Sequence, residues 1–410
     1  MSDSLSQTRP LRVTLAAGGT GGHVFPAEAL AEELTKRGHA LTLVTDKRGQ
    51  THGGRLGQLD TRRILAGGVA GRGLSGRLRG MVELGLGTLQ AWRLLRAQRP
   101  DVVVGFGGYA SLPTMLAAIR LGLPTVVHEQ NAIPGRANRL LAPRVTRYAV
   151  AFAKAQRPRG ARPYLTGMPV RPAVLALRDS AAYVPPEGEA PFHLLVTGGS
   201  QGARVFSTLI PEAVGLLAHA HRVRLRITQQ CRPEDLGEAK ARYARIAVEA
   251  ELSTFFGDLP ERLRDAHLVI CRSGASTMGE LSALGRPAIL VPYPFAIDDH
   301  QTANARSLEE AGGAWLMSQD HLSAQSLAER LQALMDQPKV LARTAAQAYA
   351  LGVPDAAARL ADLTIATALG APAPAKTALD KESLDQDGTA KEPTSRDSTP
   401  VETSPKEIRP

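Results

Sequence analysis

His23 stands directly behind the glycines and threonine of GGTGGHVFP (18–26) and ahead of the helix-like run AEALAEELTKRG. A glycine-rich turn opening a helix presents unpaired backbone N–H groups at the positive end of the helix dipole, a setting for phosphate or a developing anion. Histidine titrates near neutrality, so one placed beside such an anion site suits a general base. Pro26 is tolerated near a helix start. The same loop as a dinucleotide fingerprint fits poorly. Gly18, Gly19, Gly21 and Gly22 do not make GxGxxG, which would need glycine at position 24, where Val24 stands; Asp46, after the next apolar run, could mimic the ribose-binding acid of such a fold. A tight turn with no ligand is the remaining reading.

Further polar clusters follow short apolar runs. GGSQGAR (198–204) offers Ser200 and backbone amides in the same arrangement as the first loop. CRSGASTMGEL (271–281) opens another helix. There Thr277 and Glu280 have capping-box spacing, which would make the motif a helix start. Alternatively, Glu280 accepts hydrogen bonds from a ribose diol while Ser273, Thr277 and nearby amides meet a diphosphate or base. HEQN (128–131) and DDHQTANA (298–305) each put polar residues where the strand ends of an α/β fold carry their sites. Asp298 and Asp299 invite a metal, but no DxD diphosphate–metal pattern accompanies them, so neither a metal nor a cofactor is expected.

These clusters need elements to hold them. LRVTLAA (11–17), the glycine loop, a helical stretch and ALTLVT repeat the layout of HLLVTGGSQGARVFSTLIPEAVGLLAHA (193–220) and RVRLRIT. Each reads strand, glycine turn, helix, strand. The runs DVVVGF, PTVVHE, HLVICR and PAILVP are apolar without alternation, which suits parallel strands covered on both faces. The expectation is an α/β protein of two Rossmann-like doubly wound domains facing across a cleft. They would join near Thr166–Arg171 (TGMPVR), with a surface loop at 178–191. Beyond Gly370 the chain has no aromatic and almost no apolar residue, so 370–410 is expected to be disordered.

Residues 1–166 hold 24 Lys+Arg against 9 Asp+Glu, a net +15, while the remainder is net −5. The first half is thus built to meet anions: nucleic acid, anionic lipid or a phosphate-bearing substrate. Aromatics at 4% leave few stacking platforms, and no RNA- or DNA-binding motif appears, so nucleic acid is disfavoured. Cys231 and Cys271 form no CxxC, which points to a reducing compartment. The polar start MSDSLSQTRP lacks a signal-type apolar region, and no run has membrane-span length. A cytosolic chain, or one resting on a membrane from that side, is expected.

Taken in order, GGTGGHVFP, GFGGYAS (105–111), HEQN, TGMPVRP (166–172), GGSQGAR, CRSGASTMGEL and DDHQTANA resemble the MurG glycosyltransferases, over roughly residues 10–365. That family moves N-acetylglucosamine from UDP-N-acetylglucosamine to the C4 hydroxyl of undecaprenyl-pyrophosphoryl-N-acetylmuramyl-pentapeptide in bacterial peptidoglycan synthesis. The resemblance implies a GT-B fold: an acceptor- and membrane-facing domain (8–166), a UDP-sugar domain (167–345), and a helix within 346–369 returning to the first domain. The tail has no counterpart in the family pattern. Carried over by motif, Thr20, Gly21, Gly22, Asn131, Arg171, Ser200, Ala275, Ser276, Thr277, Met278, Gly279, Glu280 and Gln301 would bind substrate. Glu280 would hold the ribose and Gln301 the sugar, with His23 as the base. Phe256 stands where the family has a smaller aliphatic residue near the uracil.

The lipid-linked acceptor implies a peripheral enzyme on the cytoplasmic face of the inner membrane. Within 72–99, Leu74, Leu78, Met81, Val82 and Leu86 mix with Arg72, Arg77, Arg79, Arg93 and Arg96. Leu74–Val82 is expected to meet an anionic bilayer, and 84–95 to face the core. The rival readings are another GT-B nucleotide-sugar transferase or epimerase with a soluble substrate and, from a different class, a basic nucleic-acid-binding protein.

Overall fold

The computed structural model describes residues 9–18, 21–46, 56–67, 74–180, 182–199 and 203–374. The side chains of Leu74, Ser75 and Arg77 are outside that description, as are Thr20, Ser200, Arg72 and all residues from 375 onward, which include most of the expected tail.

Two parallel sheets make the frame. The first holds β1 (Arg12–Ala16), β2 (Ala40–Thr45), β3 (Asp60–Arg63), β4 (Val102–Gly105), β5 (Thr125–Glu129), β6 (Arg147–Val150) and β7 (Pro163–Leu165), in the order β3-β2-β1-β4-β5-β6-β7. The second holds β8 (Phe192–Thr197), β9 (Leu225–Gln230), β10 (Ala250–Ser253), β11 (Leu268–Cys271), β12 (Ala288–Leu290) and β13 (Trp315–Leu316), in the order β10-β9-β8-β11-β12-β13. Every strand pair is parallel. β1, β4, β5, β8, β11 and β12 are apolar on both faces because helices cover both sides. Leu15 and Val104 pack toward the helices Gly21–Lys36 and Ala356–Ala368, and Val103 and Val127 toward Leu95 and Met115.

Strand order reverses between β1 and β4 and again between β8 and β11. Such switch points open a crevice at the carboxyl ends of the strands. The glycine loops after β1 and β8, and the motifs after β4 and β11, are therefore delivered to two crevices. Three glycines show why those turns need glycine. A Cβ on Gly18 would lie 2.7 Å from Thr45 Oγ1 and 2.8 Å from the Ala110 Cβ. Gly107 and Gly108 hold φ of 84° and 71°, the left-handed region.

The last helix, Ala356–Ala368, crosses back from the second half to the first sheet. Leu360, Ala361 and Leu363 are fully buried among Leu11, Val13 and Leu34, and Arg37 pairs with Asp362 at 2.5 Å. Tyr164 Oη then donates to the Pro374 carbonyl at 3.0 Å.

The helix Leu74–Gln98 divides differently from expectation. Its inward face is Gly80, Gly87, Ala91 and Leu95, all buried, and Gly87 comes so close to Leu65 that a Cβ would collide with the Leu65 carbonyl. Small residues draw the helix in on that face and turn the larger ones out. Leu78, Met81, Val82, Leu86 and Leu89 are 44–62% exposed, so the exposed apolar stripe runs past Val82 to Leu89. Within 84–95, Leu84, Ala91, Trp92, Leu94 and Leu95 pack on the core as expected, while Leu86 and Leu89 face outward. Among the described residues no helix is long and apolar enough to cross a membrane.

Candidate active site

The first half-site starts with the helix Gly21–Lys36, which begins earlier than its apolar pattern suggests. Pro26 is its sixth residue and lacks an N–H, so the Gly22 carbonyl has no i+4 donor. Gly21, Gly22 and His23 form the first turn, where backbone N–H groups point out of the helix without internal partners. His23 is half-buried, its ring over Gly108: a Cβ on that glycine would sit 3.3 Å from His23 Cδ2 and Nε2. His23 Nδ1 lies 3.1 Å from Gln130 Oε1.

The end of β5 and the two residues after it are HEQN, and three of these four side chains are buried. Glu129 accepts from Asn131 N at 2.9 Å and Asn131 Nδ2 at 3.2 Å through Oε1, and from Gly135 N and Asn138 Nδ2 through Oε2. A buried carboxylate so fully hydrogen-bonded is a scaffold for the loop. Gln130 donates to the His128 carbonyl at 2.9 Å and contacts His128 Nδ1 at 3.2 Å, while His128 Nε2 lies 3.1 Å from the Gly167 carbonyl. Complete burial pushes the His128 imidazole down to about 4, against the smaller opposing pull of its bond to Gly167, so it is neutral.

The second half-site is built on the helix Ala275–Leu284. Its N-cap is Gly274 and no side chain caps it, so the capping-box reading of Thr277 and Glu280 fails: both residues lie inside the helix. Glu280 instead accepts from Arg171 Nε at 2.6 Å, and the Arg171 guanidinium carbon stands 5.0 Å from the centre of the Phe25 ring. One side chain thus touches helices of both half-sites. Ser276 Oγ is buried with no hydrogen-bond partner among the described residues. Met278 is buried in the core, and Gly279 presses on Met168, where a Cβ would meet Cγ at 2.8 Å. What the start of this helix offers a ligand is therefore the amides of Ala275–Thr277, Ser276 Oγ and the Glu280 carboxylate. Gln301 has its side-chain oxygen engaged by Tyr293 N at 2.9 Å and its own carbonyl by Ser273 Oγ at 2.8 Å, which leaves its amide N–H groups for a ligand.

Cross-cleft contacts hold the halves together on one side. Asn304, fully buried, donates to Asn131 Oδ1 and to the Ser273 carbonyl, each at 3.1 Å, and accepts from Ala132 N at 2.8 Å. Asp298, with φ of 55°, pairs with Arg136 and Arg139, and these bonds, Arg136's first, hold its carboxyl below the usual range. Asp298 is thereby a link between the halves. Among the described residues no group of three His, Cys, Asp or Glu could hold a metal.

Beyond β10, Phe256 is buried beneath Arg262, 4.4 Å from ring centre to guanidinium carbon, while Phe255 is 74% exposed. Phe256 was legible in the sequence as a site candidate, and Phe255 was not. Asn304 and Gln130 were hidden as well, although the motifs that contain them stand out in the sequence. Only the place of Phe255, two residues past the carboxyl end of β10, could have signalled it.

Residues 13–150 match the glycosyltransferase family 28 N-terminal domain, and residues 193–360 the family 28 C-terminal domain. Among curated relatives, the UDP-N-acetylglucosamine–N-acetylmuramyl-(pentapeptide) pyrophosphoryl-undecaprenol N-acetylglucosamine transferase of Rhodospirillum rubrum is 72% identical over 359 residues, covering 88% of this chain and 92% of that protein. Its counterpart in Paramagnetospirillum magneticum is 57% identical, covering 88% and 98%. Among solved structures, Acinetobacter baumannii MurG superposes with a TM-score of 0.71 at 29% identity, covering 87% of this chain and 99% of that one. With two doubly wound parallel sheets, both family 28 domains and relatives this similar along nearly the whole described length, the chain belongs to the MurG family of glycosyltransferases.

Proposed function

We propose that this protein transfers N-acetylglucosamine, with inversion, from UDP-N-acetylglucosamine to the C4 hydroxyl of undecaprenyl-pyrophosphoryl-N-acetylmuramyl-pentapeptide. The observation that carries the reading is the reach of Arg171 from Phe25 beside the first glycine loop to Glu280 on the second half-site's helix. A donor held by one half and an acceptor held by the other would meet within one side chain's length.

In this reading His23 Nε2 takes the proton of the C4 hydroxyl as its oxygen bonds to the sugar's C1. The C1–oxygen bond to the diphosphate breaks on the opposite face, and its electron pair leaves with UDP. The transition state has oxocarbenium character, as in glycoside cleavage. Charge gathers on the departing diphosphate, where oriented amides of Ala275–Thr277, Ser276, Ser200 and Arg171 stabilise it without reorganising. Glu280 takes the ribose hydroxyls, Gln301 the sugar, and Asn131 and the second strand-end loop bearing Phe256 complete the donor pocket. Thr20, Gly21 and Gly22 hold the acceptor's pyrophosphate. No metal or cofactor enters these steps.

The acceptor's polyprenyl tail stays in the bilayer, so the protein works as a peripheral enzyme on the cytoplasmic face of the inner membrane. The stripe from Leu78 to Leu89 enters the interface, with Arg79 and Arg93 at its borders toward anionic headgroups.

The test is single-turnover transfer of radiolabelled N-acetylglucosamine from its UDP donor to a short-chain analogue of the lipid-linked acceptor. Wild type is expected to transfer. Glu280→Ala is expected to lose about 10- to 100-fold in kcat/KM, the range for a hydrogen bond to a charged group. Donor binding without transfer would move the reading to another acceptor.

A further inference from the structure

The four groups behind His23 can be hydrogen-bonded in only one way. The Gly167 carbonyl can only accept, so neutral His128 carries its proton on Nε2, 3.1 Å away. His128 Nδ1 is then a bare acceptor. The His128 carbonyl, 2.9 Å from Gln130 Nε2, also only accepts, which fixes the Gln130 amide with its nitrogen toward His128 and its oxygen toward His23. The same NH2 group faces His128 Nδ1 at 3.2 Å. Gln130 Oε1 accepts from His23 Nδ1 at 3.1 Å, so His23 carries its proton there. In the neutral ring Nε2 is left with a lone pair, and among the described residues nothing bonds to it.

We infer that Gln130 and His128 are positioning residues that hold His23 in its Nδ1–H tautomer, so that Nε2 is always the basic nitrogen. The inference rests on His23 being the base. An imidazole free in water prefers the opposite tautomer, with the proton on Nε2 and no lone pair there to take the acceptor's proton. The relay moves no proton itself. When His23 accepts one at Nε2, its Nδ1–H stays on the Gln130 oxygen, and the amide remains neutral. The relay starts at Gly167, in the segment that links the two sheets, where φ is 80° and a Cβ would lie 2.7 Å from Val353 Cβ. The tautomer of the base is thereby tied to the backbone at the junction of the two halves.

The first readout is long-range proton–nitrogen correlation on the full chain with labelled histidine, at mildly alkaline pH and without substrate, the His23 signal assigned by its loss in His23→Ala. Wild type is expected to show Nδ1–H. Gln130→Met, which removes the accepting oxygen, is expected to shift the ring toward Nε2–H and to lower kcat about 10- to 100-fold with donor KM changed less than about two-fold. Gln130→Glu keeps an oxygen opposite Nδ1 and is expected to retain the Nδ1–H signal. Wild type with Nε2–H, or Gln130→Met with wild-type kcat, overturns the inference. Should Gln130→Met fail to fold, the wild-type spectrum decides by itself. Near-normal turnover by His23→Ala would remove the base reading instead, and the spectrum of the substrate-free protein would still show whether the relay sets the tautomer.

Discussion

Asn304, on the helix His300–Glu310 of the second half, bonds through Nδ2 to Asn131 Oδ1 at 3.1 Å and through Oδ1 to the backbone N–H of Ala132 at 2.8 Å. A single buried amide thus spans the cleft and satisfies backbone and side chain on the far side, while also donating to the Ser273 carbonyl on its own side. Amide groups suit this position because one end donates and the other accepts.

Asn304→Leu keeps the branched shape and removes every one of these bonds, leaving the Ala132 N–H without its partner. The variant is expected to be less stable by about 1–3 kcal/mol, the cost of an unsatisfied buried polar group. It is also expected to transfer more slowly, because Asn131 is then held from the Glu129 side alone. Thermal unfolding beside the transfer assay checks both. An unchanged melting temperature would show that the halves are held together elsewhere.

His128 makes stability depend on pH. Its folded value is about 4 against an ordinary 6.5, because burial disfavours the charged ring. The folded state therefore binds fewer protons than the unfolded chain below 6.5. Stability from this group is fully present above 6.5 and lost progressively as pH falls toward about 4, by at most about 3 kcal/mol. His267, also pushed down to about 4 by burial, adds in the same direction. Denaturant midpoints measured from pH 7.5 to 4.5 should fall steadily through this window. A flat profile would mean that the buried rings are protonated at no cost.

The stripe on the helix Leu74–Gln98 gives a binding prediction. Vesicles containing anionic lipid should retain the protein at low salt and release part of it as salt rises, since charge contributes over a short screening length. Replacing Leu78, Met81 and Val82 together by serine should weaken retention about 10-fold or more at all salt concentrations, given roughly 0.8 kcal/mol per buried methylene. These residues are exposed, so the fold should tolerate the change. Retention equal to wild type would place the membrane contact elsewhere.

Much of the frame was legible because it is written locally. Apolar runs without alternation, each followed by a glycine turn and a helical pattern, specify parallel strands covered on both sides, and two such layouts specify two sheets. The motifs fell at strand ends for the same reason. Local spacing misled where a distant group intervened. Thr277 and Glu280 read as a capping box, but Arg171, more than a hundred positions earlier, takes the Glu280 carboxylate. In 84–95 Leu86 and Leu89 read as core with their neighbours, but Gly80, Gly87 and Ala91 bring another face inward and leave these two exposed.

The sequence by itself determined the strands, the turns that glycine permits, and the residue types that sit at the crevices. A strand or a tight turn depends on neighbours a few residues away, and those neighbours are adjacent in the chain. Only the tertiary structure decided which polar groups meet. Whether Asn304 lies on Asn131, whether Arg171 lies on Glu280, and which nitrogen of His23 bears the proton all depend on hydrogen-bond geometry between segments that folding alone brings together.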